Sequence, residues 1–600
     1  VEPIRMANKK VPIKYTSRDF NSIKADLVDH AKRYYPNTVK DFNESSFGSL
    51  MFDSVSYVGD ILSFYLDYNV NESFLTTALE RKNVLKLARQ MGFKIPAKAV
   101  SYGTIQLYVL IPVNSLGTGP DTAYTPIIEK GTTVRSNAGQ QYILTEDVDF
   151  SNPNNPIVVA RVSPTTGLPT SYAIKSSGVV MSGRFREQIF TIGEFEKFKK
   201  IPLNSTNITE VLSAVDNEGH EYYEVDYLSQ DVIYKEVKNS DSTTVTSLLK
   251  PFPVPRRFIL ERTIDNIYIQ FGFGSEDQIT SDTVIDPSQV VLSLQTKNYV
   301  TDTSFDPTNI VKTDKLGVGP SNTTLRVRYL ENDDSTSNSP AANVKTVSSL
   351  KIRFRDRLSL SNNSVSEVAN SVEVNNEEPI VGEVSELETE EIKIKTLDFY
   401  ASQNRAVSKQ DYIALTYAMP NKFGAVKRCN IIQDSNSFKR NLNMYVISEN
   451  SAGNLVQTNT VIKQNLKNWL NNNRMVNDTI DIMDAKIVNI GINFSVISTT
   501  DSDKYDVLQS CYLALIAKYN IKFEISEPFS ISDIYTTLNK LDGVSDVVNV
   551  EITTKTGAPY STTRLDIQAQ TSPDGRYINV PSNVILELLN PASDIKGTIR

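Results

Sequence analysis

A base held beside a nucleophile or an acid is the simplest catalytic arrangement, and His30 and His220 are the two histidines that could supply one. They lie 190 residues apart. His30 falls in a polar helical segment and His220 in a Gly-His-Glu turn, so both are expected at the surface rather than in a catalytic pair. Cys429 and Cys511 stand alone, and with no HExxH and no Cys/His cluster a zinc site is not expected. Two isolated cysteines give no disulfide framework, which fits a chain that folds in a reducing cytosol. GxSxG and the Walker loop are absent. The glycine pairs in Phe271–Ser275 (FGFGS) and Leu316–Asn322 (LGVGPSN) complete no phosphate-binding pattern, and tight turns after strands account for both. Carboxylates are plentiful, but no local context selects a glycosidase-type pair. No catalytic residue, cofactor or metal is assigned.

What the sequence has in excess is apolar helix surface. Between Phe47 and Asn69 three lengthwise stripes run at helical spacing. One is Phe47, Met51, Val55, Val58, Leu62, Tyr65, and a second is Leu50, Tyr57, Ile61, Phe64, Tyr68. Only the third is polar: Ser49, Asp53, Ser56, Asp60, Ser63, Asp67. A helix packed on one core needs one apolar face, whereas this one must cover two. It is expected to pack between several neighbours, some from another chain. Leu50, Met51, Val55, Tyr57, Val58, Ile61, Leu62, Phe64 and Tyr65 are the candidate interface residues, and either stripe could instead be intramolecular core.

Length, charge and composition narrow the class. Six hundred residues exceed one core, so several domains are expected. The net charge of −8 carries no strong basic block, which argues against nucleic acid as the main partner. No apolar run approaches the roughly 20 residues that cross a bilayer, and the start VEPIRMANKK has no signal-peptide core, so neither membrane contact nor secretion is expected.

Along the chain the pattern changes several times. Residues 1–14 read as an extended arm, and 15–98 as a helical bundle segment. Its first helix is expected to be capped by Thr16 or Ser17 and to stop before Pro36; its third is expected from Leu75 to Gly92. From 99 to 332 short strands alternate at period two, beginning with Ile105, Leu107, Val109 and Ile111, with long loops at 150–172 and 237–251. Residues 333–395 read as a linker with a glutamate-dense stretch. Two α+β units of ferredoxin-like type are expected at 396–484 and 485–555, with Trp469 a core anchor and Tyr505, Leu508, Tyr512, Leu515 and Tyr519 on one helix face. Residues 556–600 read as an arm ordered by a neighbour. The fold class is α+β and multidomain.

Four places resemble the baseplate J-like family. Asn71-Glu72-Ser73-Phe74-Leu75 with Thr77-Ala78, Arg81 and Gly92-Phe93 is similar to its NE-x-F-x-x-TA…R…GY pattern. Glu129-Lys130-Gly131-Thr132 resembles its P-x-GT turn without the proline step. Phe271-Gly272-Phe273-Gly274 resembles its FGDG turn, with Phe273 in place of the acid. Arg405-Ala-Val-Ser408-Lys-Gln-Asp411-Tyr412 resembles its R-x-V-[ST]-x-x-DY, with Ser408 and Asp411 in capping-box form. Within the family the likeness is greatest to wedge proteins that form the inner ring in T-even-type contractile-tailed phages.

The resemblance implies a structural virion protein of the tail baseplate, assembled in the host cytoplasm. Its members dimerise through N-terminal helices, link wedges into a ring around the hub, hold the first sheath layer and help release contraction. Implied partners are a second copy, other wedge proteins, the hub and sheath-initiating proteins. Two other readings stay open: a tail-associated polysaccharide-cleaving enzyme, and the same wedge role in a tailocin or contractile injection machine.

Overall fold

The computed structural model describes residues 18–37, 41–43, 46–93, 99–114, 117, 119–205, 207–238, 247–263, 266–274, 316–332, 336–385, 387–434, 441–499, 503–519 and 523–599. The expected N-terminal arm, 1–14, lies outside them. The fold is α+β and multidomain, and the chain divides into two compact units. One comprises Val1–Lys94 with Leu387–Tyr400; the other comprises Ile95–Glu386 with Ala401–Arg600.

The first unit is helical. Helix α1 (Phe20–Tyr34) is capped by Asp19, whose carboxylate accepts from the Ser22 N–H at 3.1 Å. The expected caps Thr16 and Ser17 lie outside the described residues. Helix α2 (Phe47–Glu72) is capped by Ser46 and is about 39 Å long at 1.5 Å per residue. Helix α3 (Arg81–Gln90) starts six residues later than its periodicity suggests, because Leu75 to Glu80 form turns. Leu75, Ala78, Val84, Ala88 and Phe93 form a small core with Ile392, which the helix Thr389–Ser402 brings back from far along the chain. Gly92 takes φ +85° beyond the α3 C-cap, a conformation that favours glycine.

In the second unit the strand Tyr102–Pro112 alternates as expected, with Ile105, Leu107, Val109 and Ile111 buried. Its antiparallel sheet orders as Val344–Ser349, Thr133–Ser136, Gln141–Leu144, Pro169–Ser182, Tyr102–Pro112 and Glu373–Asn375, with Ile157–Val162 on the free flank of Pro169–Ser182. A second seven-stranded sheet holds Arg184–Ile192, Thr323–Glu331, Ile208–Val215, Glu221–Glu224, Arg257–Arg262, Ile267–Phe271 and Lys200–Leu203. Each sheet has its own core. Two expectations are corrected here. The segment 150–172, expected as a long loop, holds one strand and the start of the next. Residues 333–395, expected as a linker, supply both ends of the first sheet, a helix (Asn362–Asn370) and the core residues Val344, Phe354, Val365, Val368 and Val374.

The remaining sheets are α+β. Arg428–Gln433 and Asn441–Glu449 pair antiparallel, and Thr479–Asp484 joins parallel. The helices Lys409–Tyr417 and Thr460–Asn471 supply Tyr412, Leu415, Ile462, Leu466 and Leu470 to their core. Trp469 anchors it as expected, donating Nε1–H to Leu415 O at 2.8 Å. Around the long strand Lys486–Ser498 lie Val544–Lys555, antiparallel, and Val584–Glu587 and Ile595–Ile599, both parallel. The 556–600 region therefore is not an arm here; it puts Ile578, Val584, Leu586 and Ile595 into that core. Helix Lys504–Tyr519 buries Val507, Cys511 and Leu515 and leaves Tyr505 exposed.

Candidate assembly surface

The long helix α2 is turned inside out. Its polar stripe faces α1: Ser49 and Ser56 are buried, Lys24 Nζ meets Asp53 at 2.6 Å and Arg18 meets Asp67 at 2.6 Å. Gly59 permits the close approach, since a Cβ there would lie 3.2 Å from Ile23 Cδ1. Both ion pairs are partly exposed and align the helices more than they stabilise them. The apolar stripes point the other way. Leu50, Met51, Val55, Tyr57, Val58, Leu62, Phe64 and Tyr65 are each 50–65% exposed, and Phe47 is 76% exposed. Ile61 alone of the nine candidates is half-buried. Leu66, Val70, Phe74 and Leu79 extend the exposed apolar surface. Isolated folded chains rarely leave so much apolar surface in water.

Glu72 ends α2 and starts α3. Its buried carboxylate accepts from the Leu79 N–H at 2.7 Å, the Glu80 N–H at 3.3 Å and Asn83 Nδ2 at 2.8 Å. Glu80, the α3 N-cap, makes no side-chain cap bond, and Glu72 instead fixes the entry to α3 by holding the Leu79 and Glu80 N–H groups and the Asn83 amide. Asn71, exposed, accepts from Thr77 Oγ1 through its carbonyl at 2.7 Å, and Arg81 Nη1 donates to Leu387 O at 2.7 Å. The Asn83 amide first, then the Leu79 N–H, hold the Glu72 carboxyl below its ordinary value of 4.5. A depressed carboxylate contributes stability above its unfolded value and loses it as pH falls through the folded one. The stability of the helical unit should therefore fall as pH drops below 4.5. Glu72→Gln should flatten that slope in circular-dichroism melts, and an unchanged slope would remove Glu72 from this role.

The remaining motif residues serve architecture. Gly131, at φ +80°, donates its N–H to Leu144 O at 2.8 Å in the turn between two strands. Ser408 and Asp411 form the full capping box, with Asp411 accepting from the Ser408 N–H at 2.8 Å. Arg405 is exposed and reaches only Gln403, at 3.2 Å, among the contacts of the described residues. Tyr412 is buried and donates to Asp478 Oδ2 at 2.7 Å; burial first, then that bond, pushes its phenol upward. Of the histidines, His30 lies against Tyr34 with the rings tilted by 37°, and His220 lies 3.1 Å from Asp216.

The two glycine pairs, read separately from the sequence, meet. Gly274 donates to Gly317 O at 3.1 Å and Gly319 donates to Gly274 O at 2.9 Å. A Cβ on Gly272 would stand 2.2 Å from both Leu316 O and Gly317 O. These are backbone atoms that cannot rotate away, so Gly272→Ala should cost about 3 kcal/mol, the upper range of overpacking. Denaturant titration measures it; a loss under about 1 kcal/mol would show that the clasp yields.

The polar knot that joins distant segments was not singled out in the sequence. Lys427 and Glu449, both buried, pair at 3.2 Å. Ser385 Oγ donates to Glu449 at 3.1 Å, and Lys427 also reaches Ser385. Asn338 Nδ2 donates to Glu449 O and to Glu383 O, each at 2.8 Å, and Ser101 joins through Ser337 and Asn338 at 2.7 Å. No spacing rule links residues 101, 338, 383, 427 and 449.

Residues 19–90, which span α1 to α3, match the family described as bacteriophage baseplate protein, N-terminal domain. The segment that holds α1 to α3 is therefore similar to a baseplate N-terminal domain, which supports a baseplate protein. A search of curated proteins returns no match. Among solved structures, one similar chain belongs to the anti-feeding prophage baseplate. It is 9% identical with a TM-score of 0.27, over 95% of this chain and 98% of that one. Another belongs to the type VI secretion TssK-TssF-TssG baseplate subcomplex, at 9% identity and TM-score 0.26, over 73% and 96% of the two chains. At these scores neither likeness carries an argument.

Proposed function

We propose that this chain is a structural wedge component of a contractile-tail baseplate. It dimerises through the apolar faces of α2 and links wedges into a ring around the hub, with a part in assembly and in triggering sheath contraction. One observation carries the reading: α2 spends its polar stripe on its own neighbour α1 and leaves its apolar stripes bare. The match at residues 19–90 supports it independently. The partners are a second copy first, then other wedge, hub and sheath-initiating proteins, in a particle assembled in the host cytoplasm. The role is contact rather than turnover.

The test is the solution mass of the isolated full chain, with and without an aspartate at Val58 or Leu62. A dimer that the aspartates dissociate supports the proposal. A chain that stays monomeric at tens of micromolar, a range that obligate interfaces of over ~2,000 Å² exceed easily, would end it.

A further inference from the structure

The strand Ile157–Val162 is exposed at every residue. Its sequence IVVARV is what a buried strand contains, yet neither face is covered: Ile157, Val158, Val159 and Val162 are 46–61% exposed. Among the described residues it pairs on one side only, antiparallel to Pro169–Ser182, with Ile157 opposite Ile174, Val158 opposite Ala173 and Val159 opposite Tyr172. The Lys175 N–H donates to Pro156 O at 3.1 Å. Antiparallel bonding alternates along the ladder, so Val158 exchanges bonds with its neighbour strand while Ile157 and Val159 aim their N–H and C=O outward. Past them the register shifts around Arg161, a bulge that ends the regular stretch.

Folded chains normally blunt such an edge with charges, proline or a covering segment. Here the regular part carries none of these. An outward row of donors and acceptors between β-branched side chains is a template for one more strand. Arg161 adds a chemical preference. Among the described residues no carboxylate lies within ion-pair reach of it, and its backbone carbonyl accepts from Thr170 Oγ1 at 3.2 Å. A second copy of this edge could not supply the missing anion, because residues 154–163 (NNPIVVARVS) contain no acid.

We propose that the outer edge of Ile157–Val162 takes an added strand from a different protein: an extended segment alternating apolar side chains with a carboxylate that sits over Arg161. The surface is separate from α2. The proposal rests on the assembly reading only in that the assembled particle is the sample.

The experiment is amide hydrogen exchange of the full chain, free and in the purified particle that contains it. Exchange at Ile157 and Val159 should slow about tenfold or more in the particle, with less change at Val158, which is already bonded. Val159→Pro removes only an outward N–H, so it should leave the melting midpoint unchanged and abolish the protection at Ile157. Arg161→Glu should cut incorporation several-fold and Arg161→Lys should restore most of it. Equal exchange in both samples overturns the proposal, as does normal protection in Val159→Pro. Protection that grows in the free chain with concentration puts a second copy on the edge and also overturns it. If no particle contains the chain, it is the assembly reading that has failed.

Discussion

An aspartate at Val58 or at Leu62 should abolish dimerisation and leave the α+β units folded. Both side chains are more than half exposed in the single chain, so the substitution meets water there and costs the fold little. In the proposed dimer the same carboxylate would lie against apolar surface without a partner. Burial of an unpaired charge costs about 3 kcal/mol or more. A two-fold interface contains each substitution twice, so the dimer loses about 6 kcal/mol. At 1.4 kcal/mol per decade the dissociation constant rises more than ~10⁴-fold. Sedimentation would show monomers, while near-ultraviolet signals and melting of the second unit stay unchanged. The contrast between assembly and folding gives the test its power. A core position would lose both together.

Lys427→Met should be strongly destabilising to the second unit. The substitution keeps much of the stem volume but leaves the Glu449 carboxylate buried, with Ser385 as its remaining side-chain donor in the knot. Breaking a buried pair on one side costs about 3–5 kcal/mol. Changing both partners, Lys427→Met with Glu449→Gln, should recover much of that loss, since the desolvated charge disappears with its counter-ion. Thermal melts of the single and double variants measure the coupling. A double variant no better than the single one would mean that the hydrogen bonds of the knot, rather than its charges, hold the segments.

The stripes of α2 were legible because helical periodicity is local, and so was the capping box at Ser408. Which stripe turns inward was not. Either apolar set could have been core, and the polar set faces α1 because Lys24 and Arg18 answer Asp53 and Asp67. The late start of α3 escaped because Leu75 and Ala78 keep helical spacing while lying in turns held by Glu72. Residues 333–395 and 556–600 were misread for one reason. Their strands are short, and what makes them strands is pairing far along the chain, from 98 positions (Lys486 with Val584) to 269 (Gln106 with Asn375). The edge strand was lost inside an expected loop because turn residues flank it, SNPNNP before it and SPTTG after it. Arg405, set down as a motif position, turned out exposed and lightly bonded, whereas Lys427 and Glu449 sit in no motif.

The return of residues 387–400 to the helical unit sets an order on synthesis. Ile392 and Phe399 pack against Leu75, Val84 and Phe93, so the helical segment 20–93 cannot close its core until some three hundred later residues have been made. Until then α2 has the same oil facing water, with less of the scaffold that later supports it. A nascent chain in that state invites premature pairing between neighbours on one message. The late helix thus ties closure of this core to synthesis of residues 387–400, about two-thirds of the way along the 600-residue sequence.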